Sequence, residues 1–338
     1  MPIFSASISV PSPCQMRFCV ARMRKNFHIA LFFLFALPFT TAIEATVGYS
    51  VNSDGGDFFH QLNLESGIAI PLGVELTANK DIEGLAIAPN SGPFTPGLWG
   101  MDEDKFTMFR LDPVTGLKVL GTDVGISGVG VPPGHDFGLT FSCDGTLYAS
   151  SVTLQTLYTI APNGAATIVG SLGNLGENIS AIAAFGDNPT RLYGLSNGLT
   201  SVDDSVPDTR TLFDINLVTG ITSAIGTGIG AAIKPYHQAG LSFDDGGKLW
   251  AITDRSALGQ PSEILSISTA TGVATLEATT VVLGFESLAL SAPAGCNSSG
   301  FPDSNEFKGI PTLSDFGKLM AVLALMLSGA IGLRQRNF

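Results

Sequence analysis

The chain of 338 residues has little charge and few basic side chains. Only 14% of its residues are charged, and 17 Lys and Arg stand against 29 Asp and Glu, which gives a formal net charge of −12. A protein of this charge repels phosphate backbones and anionic lipid surfaces, so the composition argues against nucleic acid as a partner. The low charge also argues against helical bundles and coiled coils, which are rich in charged helix-forming residues.

Motifs for common enzyme chemistry are scarce as well. The sequence has no His-Glu-x-x-His zinc motif and no phosphate-binding glycine loop. Its four cysteines show neither metal-ligand spacing nor the pairing with histidine that is typical of catalysis. These absences predict that the protein is not an enzyme.

Apolar residues, glycine and proline are abundant. Hydrophobic residues make up 45% of the chain, which is enough for a large core and too much for a disordered protein. The 40 glycines and 19 prolines favour many short strands joined by tight turns. We therefore expect an all-β fold.

The first 42 residues predict a removable export signal. Arg24 and Lys25 precede an apolar run from Ile29 to Phe39, and small residues follow that suit cleavage after Ala42. The run has eleven residues, too few to span a bilayer, which disfavours the alternative of a permanent N-terminal anchor. Met23 would begin a signal of ordinary length, and we expect the chain after the signal to be exported.

The C-terminal residues combine a short motif, an apolar stretch and a basic end. The motif is Ile310, Pro311, Thr312, Leu313 and Ser314, followed by Asp315, Phe316 and Gly317. After it, the apolar stretch from Leu319 to Leu333 is closed by Arg334 and Arg336. This order is typical of a short membrane helix whose arginines stay in the cytoplasm while the preceding chain lies outside.

This tail resembles the IPTL-CTERM class of bacterial sorting tails, whose motif is Ile-Pro-Thr-Leu-Ser-Glu-Trp-Gly. Asp315 and Phe316 replace the Glu and Trp of that motif, and the other positions match. The resemblance covers residues 310–338 and implies an exosortase-type sorting transpeptidase as a partner, with this chain as its substrate in a Gram-negative cell envelope. A plain single-pass anchor is the alternative interpretation.

Four segments follow from these boundaries. They are a signal peptide (1–42), an exported domain (46–291), a linker rich in Gly, Ser, Asn and Pro (292–309) and the sorting tail (310–338). Removing the signal peptide leaves Cys143 and Cys296, and a disulfide between them is chemically allowed outside the cytoplasm. From Thr46 to Ser291 there are 25 acidic and 9 basic residues, a net charge of −16 that attracts divalent cations or basic partners. A merely solvated acidic surface is the alternative.

An internal repeat indicates the architecture of the exported domain. A strand-like segment followed by a glycine turn occurs five times, with the glycines 49, 48, 56 and 52 residues apart. These glycines are Gly67, Gly116, Gly164, Gly220 and Gly272. A Gly-Leu segment and a strand with an aromatic residue precede the turn in constant order. Four short strands in each repeat are typical of a β-propeller blade.

Counting strands predicts how the ring closes. Three strands lie between Thr46 and Ile70, sixteen between Ile82 and Thr280, and one from Phe285 to Ser291. We therefore expect a β-propeller of five four-stranded blades, in which the last strand completes the blade begun by the first three. Six or seven blades would require further strands in Thr122–Pro133 or Thr200–Asp208.

Four large aromatic residues recur at equivalent positions in the repeats. They are Trp99, Tyr148, Tyr193 and Trp250. Because the recurrence follows the repeat, we expect these side chains to pack within the blades rather than form a platform for stacking bases or sugars.

Aligning the innermost strands predicts one polar end of the central channel. The alignment takes an apolar residue of each strand as its reference, namely Leu85, Leu139, Ile182, Leu241 and Leu288. Ionisable and amide residues concentrate two to four positions before these references. They are Asp81, Glu83, His135, Asp136, Asn178, His237 and Glu286.

Three of these residues, Asp81, His135 and His237, are suited to binding a divalent cation as a possible cofactor. Alternatively, a carboxylate pair at this end could flank a sugar bond for acid–base catalysis. Ordinary solvated loops are the third interpretation, because chain entering an inner strand is exposed to water.

The sequence thus predicts an exported, surface-retained β-propeller that binds a ligand, with envelope polysaccharide or another surface protein as the expected partner. The alternative is a hydrolase or lyase acting on extracellular polysaccharide through Glu83, Glu286, Asp136 and the two histidines. A structural matrix protein without a site is a further alternative.

Overall fold

A computed structural model describes residues 45–53, 56–74, 76, 81–130, 136–198 and 210–296. The predicted signal peptide, the sorting motif Ile310–Ser314, the tail that follows it and His135 lie outside these residues. In the described part of the chain, no helix is long and apolar enough to cross a bilayer.

The described residues form nineteen strands in five antiparallel sheets, each of which is one blade. Blade 1 contains β4 (Ile82–Ala88), β5 (Gly97–Asp102), β6 (Thr107–Leu111) and β7 (Val124–Gly125). Blade 2 contains β8 (Phe137–Phe141), β9 (Leu147–Ser151), β10 (Thr156–Ile160) and β11 (Ala166–Ile168). Blade 3 contains β12 (Ile179–Phe185), β13 (Arg191–Ser196), β14 (Leu212–Ile215) and β15 (Thr222–Ile225).

Blades 4 and 5 complete the ring. Blade 4 contains β16 (Ala239–Phe243), β17 (Leu249–Thr253), β18 (Glu263–Ile267) and β19 (Ala274–Thr279), with a short 3-10 helix at Ser256–Leu258. Blade 5 begins with β1 (Val47–Val51), β2 (Phe59–Asn63) and β3 (Ala69–Leu72). Strand β7 occupies part of the connection Thr122–Pro133, and it is the fourth strand of blade 1 rather than part of a further blade. The predicted all-β propeller of five blades is confirmed.

The ring closes between the two ends of the described chain. Segment Phe285–Leu290 lies beside β1, where Tyr49 and Ala289 exchange two backbone hydrogen bonds with N–O distances of 2.8 and 2.9 Å. The hydroxyl of Ser50 also donates to the carbonyl oxygen of Ser287. The predicted shared blade is therefore confirmed, and we call this pairing of Phe285–Leu290 with β1 the seam.

Glycines of the inner strands let neighbouring blades approach each other. A Cβ atom on Gly240 would lie 2.4 Å from the backbone nitrogen of Leu288, and one on Gly138 would lie 2.8 Å from the carbonyl oxygen of Ser180. Real Cβ atoms do not approach backbone this closely. The Gly-Leu segments of the repeat thus mark the points where adjacent inner strands touch.

The turn glycines lock the blades together at their outer edge. Each has a positive φ, which glycine adopts without steric cost. A Cβ on Gly67 would lie 2.1 Å from the carbonyl oxygen of Thr279, and one on Gly164 would lie 2.0 Å from that of Gly125. Each turn therefore packs directly against the outer strand of the preceding blade.

Five hydrophobic clusters fill the five interfaces between neighbouring blades. Trp99, Tyr193 and Trp250 are buried in or beside them, as predicted, and Tyr148 is half-buried. None of the aromatic side chains in the described part of the chain is exposed. The recurring aromatic residues therefore belong to the core.

Candidate functional site

The central channel is filled by aliphatic side chains. The five reference residues Leu85, Leu139, Ile182, Leu241 and Leu288 are at most 4% exposed. The two small cavities along the axis have volumes of about 20 and 10 Å³. A cavity needs about 10–15 Å³ to hold one water molecule, so these cavities have no room for an organic ligand. An organic ligand therefore cannot occupy the interior of the channel.

Five carboxyl groups converge at the end where the inner strands begin. They belong to Asp81, Glu83, Glu103, Asp136 and Glu286, which we call the acidic cluster. One oxygen each of Asp81, Glu83 and Glu286 lie within 4.8 Å of one another, and the same holds for Glu83, Glu103 and Asp136. Glu83 belongs to both groups and is the centre of the cluster.

Local backbone geometry places these carboxyl groups. Ile82 and Gly84 pair with consecutive residues of β5, so Glu83 is the extra residue of a β-bulge, which redirects its side chain. The backbone nitrogen of Glu103 donates to the carbonyl oxygen of Asp81 at 3.1 Å, which holds the two residues opposite each other at the end of blade 1.

The seam positions the carboxyl group of Glu286. The hydroxyl of Ser53, just after β1, donates to Oε2 of Glu286 at 2.8 Å. Glu286 and Glu83 also share a side-chain hydrogen bond. Closure of the ring therefore brings a carboxyl group of blade 5 against one of blade 1.

Burial and mutual repulsion change the protonation of the cluster. Burial raises the pKa of Glu83 well above its ordinary value, and the charge of Glu286 and the hydrogen bond to it raise it further. Burial, followed by the charges of Asp136 and Asp81, raises the pKa of Glu103 to about 9. At neutral pH Glu103 therefore holds a proton, and the cluster carries less negative charge than its five carboxyl groups suggest.

The structure brings together the acidic part of the predicted site but does not bring His237 into it. His237 belongs to neither group of close carboxylate oxygens, and its backbone nitrogen donates to the carbonyl oxygen of Asp254 at 2.8 Å. Oδ1 of Asn178 accepts a hydrogen bond from Gln155 at 2.9 Å. His135 lies outside the described residues. The predicted set of Asp81 with two histidines is thus not assembled among them.

Glu103 is the member of the cluster that the sequence alignment missed. The alignment compared only the residues that enter the inner strands, whereas Glu103 follows the second strand of its blade. The acidic run from Asp102 to Asp104 next to Trp99 was the available signal. Pairing this strand with the residue before β4 would have placed Glu103 opposite Asp81.

The sequence also contains a Gly-x-Ser-x-Gly pattern at 194–198. Its serine, Ser196, is the last residue of β13 and is completely buried. The hydroxyl oxygen of Ser196 accepts a hydrogen bond from the backbone nitrogen of Thr211 at 3.0 Å. A nucleophilic serine in this motif needs an exposed turn between a strand and a helix. The pattern therefore has a structural role here.

The pair Glu83 and Glu286 does not have the spacing of the two carboxyl groups of a glycosidase. Glu83 and Glu286 are only 6% and 2% exposed, and they are hydrogen-bonded to each other. Carboxyl groups that cleave sugar bonds stand about 5 Å or more apart, on either side of the bound sugar. This pair leaves no space for a sugar, and no exposed aromatic ring among the described residues offers a stacking surface.

Comparisons with known proteins give only distant similarities. No protein-family model and no curated protein matches the chain. Virginiamycin B lyase from Staphylococcus aureus has 16% identity and a TM-score of 0.38, over 70% of each chain. A protein of unknown function from Bacteroides caccae has 11% identity and a TM-score of 0.42, over 72% of this chain and 98% of that one. The nidogen/laminin complex has 12% identity and a TM-score of 0.41, over 73% and 99%.

Proposed function

We propose that this protein is an exported β-propeller of a Gram-negative cell envelope that binds a divalent cation at the acidic cluster and acts as a binding module. The single observation that carries this proposal is the convergence of five carboxyl groups, from three blades, at one end of a filled channel. Export and surface retention rest on the sequence patterns of the two chain ends, with an exosortase-type transpeptidase as the partner of the tail.

The chemistry of the cluster favours Ca²⁺. Its ligand atoms are carboxylate oxygens, which Ca²⁺ prefers, whereas zinc sites are built mainly from cysteine and histidine. Oε2 of Glu103 is buried and accepts no hydrogen bond from the described residues, so it is available to a cation. The cavity lined by Glu83 and Glu286 has a volume of about 10 Å³, which suits a single ion or water.

A bound cation would also define the partner. Ca²⁺ on a strongly acidic domain provides a local positive charge with ligand positions that a second molecule can complete. An anionic envelope polysaccharide or the carboxylates of another surface protein have the complementary chemistry. We expect the partner to contact the loops around the acidic cluster, since the channel itself is filled.

Replacing Glu83 by Gln should strongly weaken Ca²⁺ binding. The amide keeps the shape and the hydrogen bond to Glu286 but removes the carboxylate shared by both ligand groups. Isothermal titration calorimetry at pH 8 should show about one ion per wild-type molecule and at least a tenfold weaker affinity for Glu83→Gln. Binding should strengthen as pH rises towards 9, because the cation must displace the proton held by Glu103.

Glu65→Gln is the matched control. Glu65 is an exposed carboxylate outside the acidic cluster that accepts hydrogen bonds from the backbone nitrogen of Thr46. Its loss should leave Ca²⁺ affinity unchanged. Wild-type protein that binds no Ca²⁺, or a Glu83→Gln variant that binds it as tightly as wild type, would contradict the proposal.

A further inference from the structure

The chain crosses the channel end opposite the acidic cluster after it completes the ring. Residues Ser291–Cys296, which we call the clasp segment, leave blade 5 and pass the ends of three inner strands. The hydroxyl of Ser291 donates to the carbonyl oxygen of Phe243 in blade 4 at 3.3 Å. The backbone nitrogen of Gly186, after the inner strand of blade 3, donates to the carbonyl oxygen of Ala294 at 2.8 Å.

The clasp segment ends in a covalent bond to blade 2. Cys296 forms a disulfide with Cys143, which follows the inner strand of that blade. The hydroxyl of Ser91, which follows the inner strand of blade 1, donates to the carbonyl oxygen of Cys143 at 2.6 Å. All five blades are therefore connected at this end of the channel.

The clasp segment is packed like part of the core. Ala294 is 6% exposed, and a Cβ atom on Gly295 would lie 2.9 Å from the ring of Phe185. Ala292, Pro293 and Ala294 line the larger cavity and close this end of the channel. Although the sequence placed residues 292–296 in a linker, they belong to the folded domain.

The seam beside the clasp segment has little pairing of its own. In the four other blades, the inner strand and its neighbour pair through five or six residues. At the seam, the described residues form one backbone pair, Tyr49 with Ala289, supported by hydrogen bonds that involve the hydroxyl groups of Ser50 and Ser287. The closing strand, Phe285–Leu290, is consequently the inner strand with the fewest backbone pairs to its neighbour in the same blade.

We propose that the disulfide and the clasp segment protect the seam from local opening. The bond from Cys296 to Cys143 fixes the chain that follows the closing strand to blade 2. Motion or tension arriving from the C-terminal side is then carried by blade 2 and does not reach the pair Tyr49–Ala289. This role does not depend on cation binding at the opposite end of the channel.

Native-state hydrogen exchange of the variant Cys143→Ser/Cys296→Ser tests this proposal. A disulfide also stabilises the whole domain by restricting its unfolded chain. Loss of the disulfide would therefore accelerate exchange throughout the domain. If the disulfide also protects the seam, its loss should accelerate exchange at the seam beyond that general increase. We expect the exchange rates of the amides of Tyr49 and Ala289 to increase at least tenfold more than those of the amides of β13.

An equal increase at the seam and in β13 would overturn the proposal. If the double variant fails to fold, reduced wild-type protein replaces it. A dithiol gives two electrons and two protons to the disulfide, which becomes two thiols while the dithiol becomes a disulfide, and the reduced protein should show the same pattern. Thr167→Ala, on the exposed outer strand of blade 2, leaves the disulfide and the clasp segment intact, so the seam amides of this variant should exchange within about threefold of wild type.

Discussion

Replacing Gly240 by Ala should lower the free energy of unfolding by about 3 kcal/mol and the Tm by about 10 °C. The new Cβ atom would lie 2.4 Å from the backbone nitrogen of Leu288 and from the carbonyl carbon of Ser287. Neither atom is a flexible side-chain end. Because the inner strands form a closed ring around a filled channel, a shift that relieves this clash must displace the closing strand as well.

Gly125→Ala is the matched control for this substitution. Gly125 also lies in a β-strand, but a Cβ atom there has no heavy atom within 4 Å, and its φ is not positive. We expect urea denaturation of Gly125→Ala to agree with wild type within about 0.5 kcal/mol. If Gly240→Ala were as stable as Gly125→Ala, blades 4 and 5 would not be in tight contact at Gly240.

These glycines explain why the fold was predictable from sequence. Inner strands that touch need a small residue at one position, and turns that pack on the preceding blade need a positive φ. Both constraints act on the sequence itself, so Gly84, Gly138 and Gly240 recur with the blade, as do the turn glycines. Counting the strands around them predicted both the number of blades and the shared fifth blade.

The site was less predictable because it depends on how neighbouring strands meet. The bulge at Glu83 comes from the register between β4 and β5, which alternation of residue types does not reveal. Glu103 is held in the cluster by a backbone hydrogen bond to Asp81 and a side-chain hydrogen bond to the same residue. Equal positions in an alignment also do not imply equal paths of the loops, and His237 is held beside Asp254 instead of entering the cluster.

The acidic cluster should make the domain less stable as pH rises from 7 to 9. The pKa of Glu103 is about 9 in the folded state against an ordinary value of 4.5, and that of Glu83 is also raised. In this pH range Glu103 holds a proton in the folded protein that it has lost in the unfolded chain. The free energy of unfolding should therefore fall by up to about 1.4 kcal/mol per pH unit for each proton held, less where solvent screens Glu103.

The other shifted groups titrate outside this range. The pKa values of Asp112, Asp144 and Glu277 lie below their ordinary acidic values, so their stabilising contributions are lost only in acid. Burial lowers the pKa of His60, which costs stability only as pH falls through its ordinary value of 6.5. Burial raises the pKa of Tyr49 above its ordinary value of 10, so Tyr49 titrates above pH 9. The change in the free energy of unfolding between pH 7 and 9 thus reports mainly on the acidic cluster.

Urea denaturation at several pH values measures this slope. The amide of Glu103→Gln cannot lose a proton, so the free energy of unfolding of this variant should fall less steeply with pH than that of wild type, and the variant should be the more stable of the two at pH 9. Glu65→Gln should show the wild-type dependence on pH. Saturating Ca²⁺ should make the free energy of unfolding fall less between pH 7 and 9, because the cation compensates the negative charge that appears as protons leave. A wild-type slope of zero would mean that the carboxyl groups are ionised and solvated, and that the cluster is not closed as described.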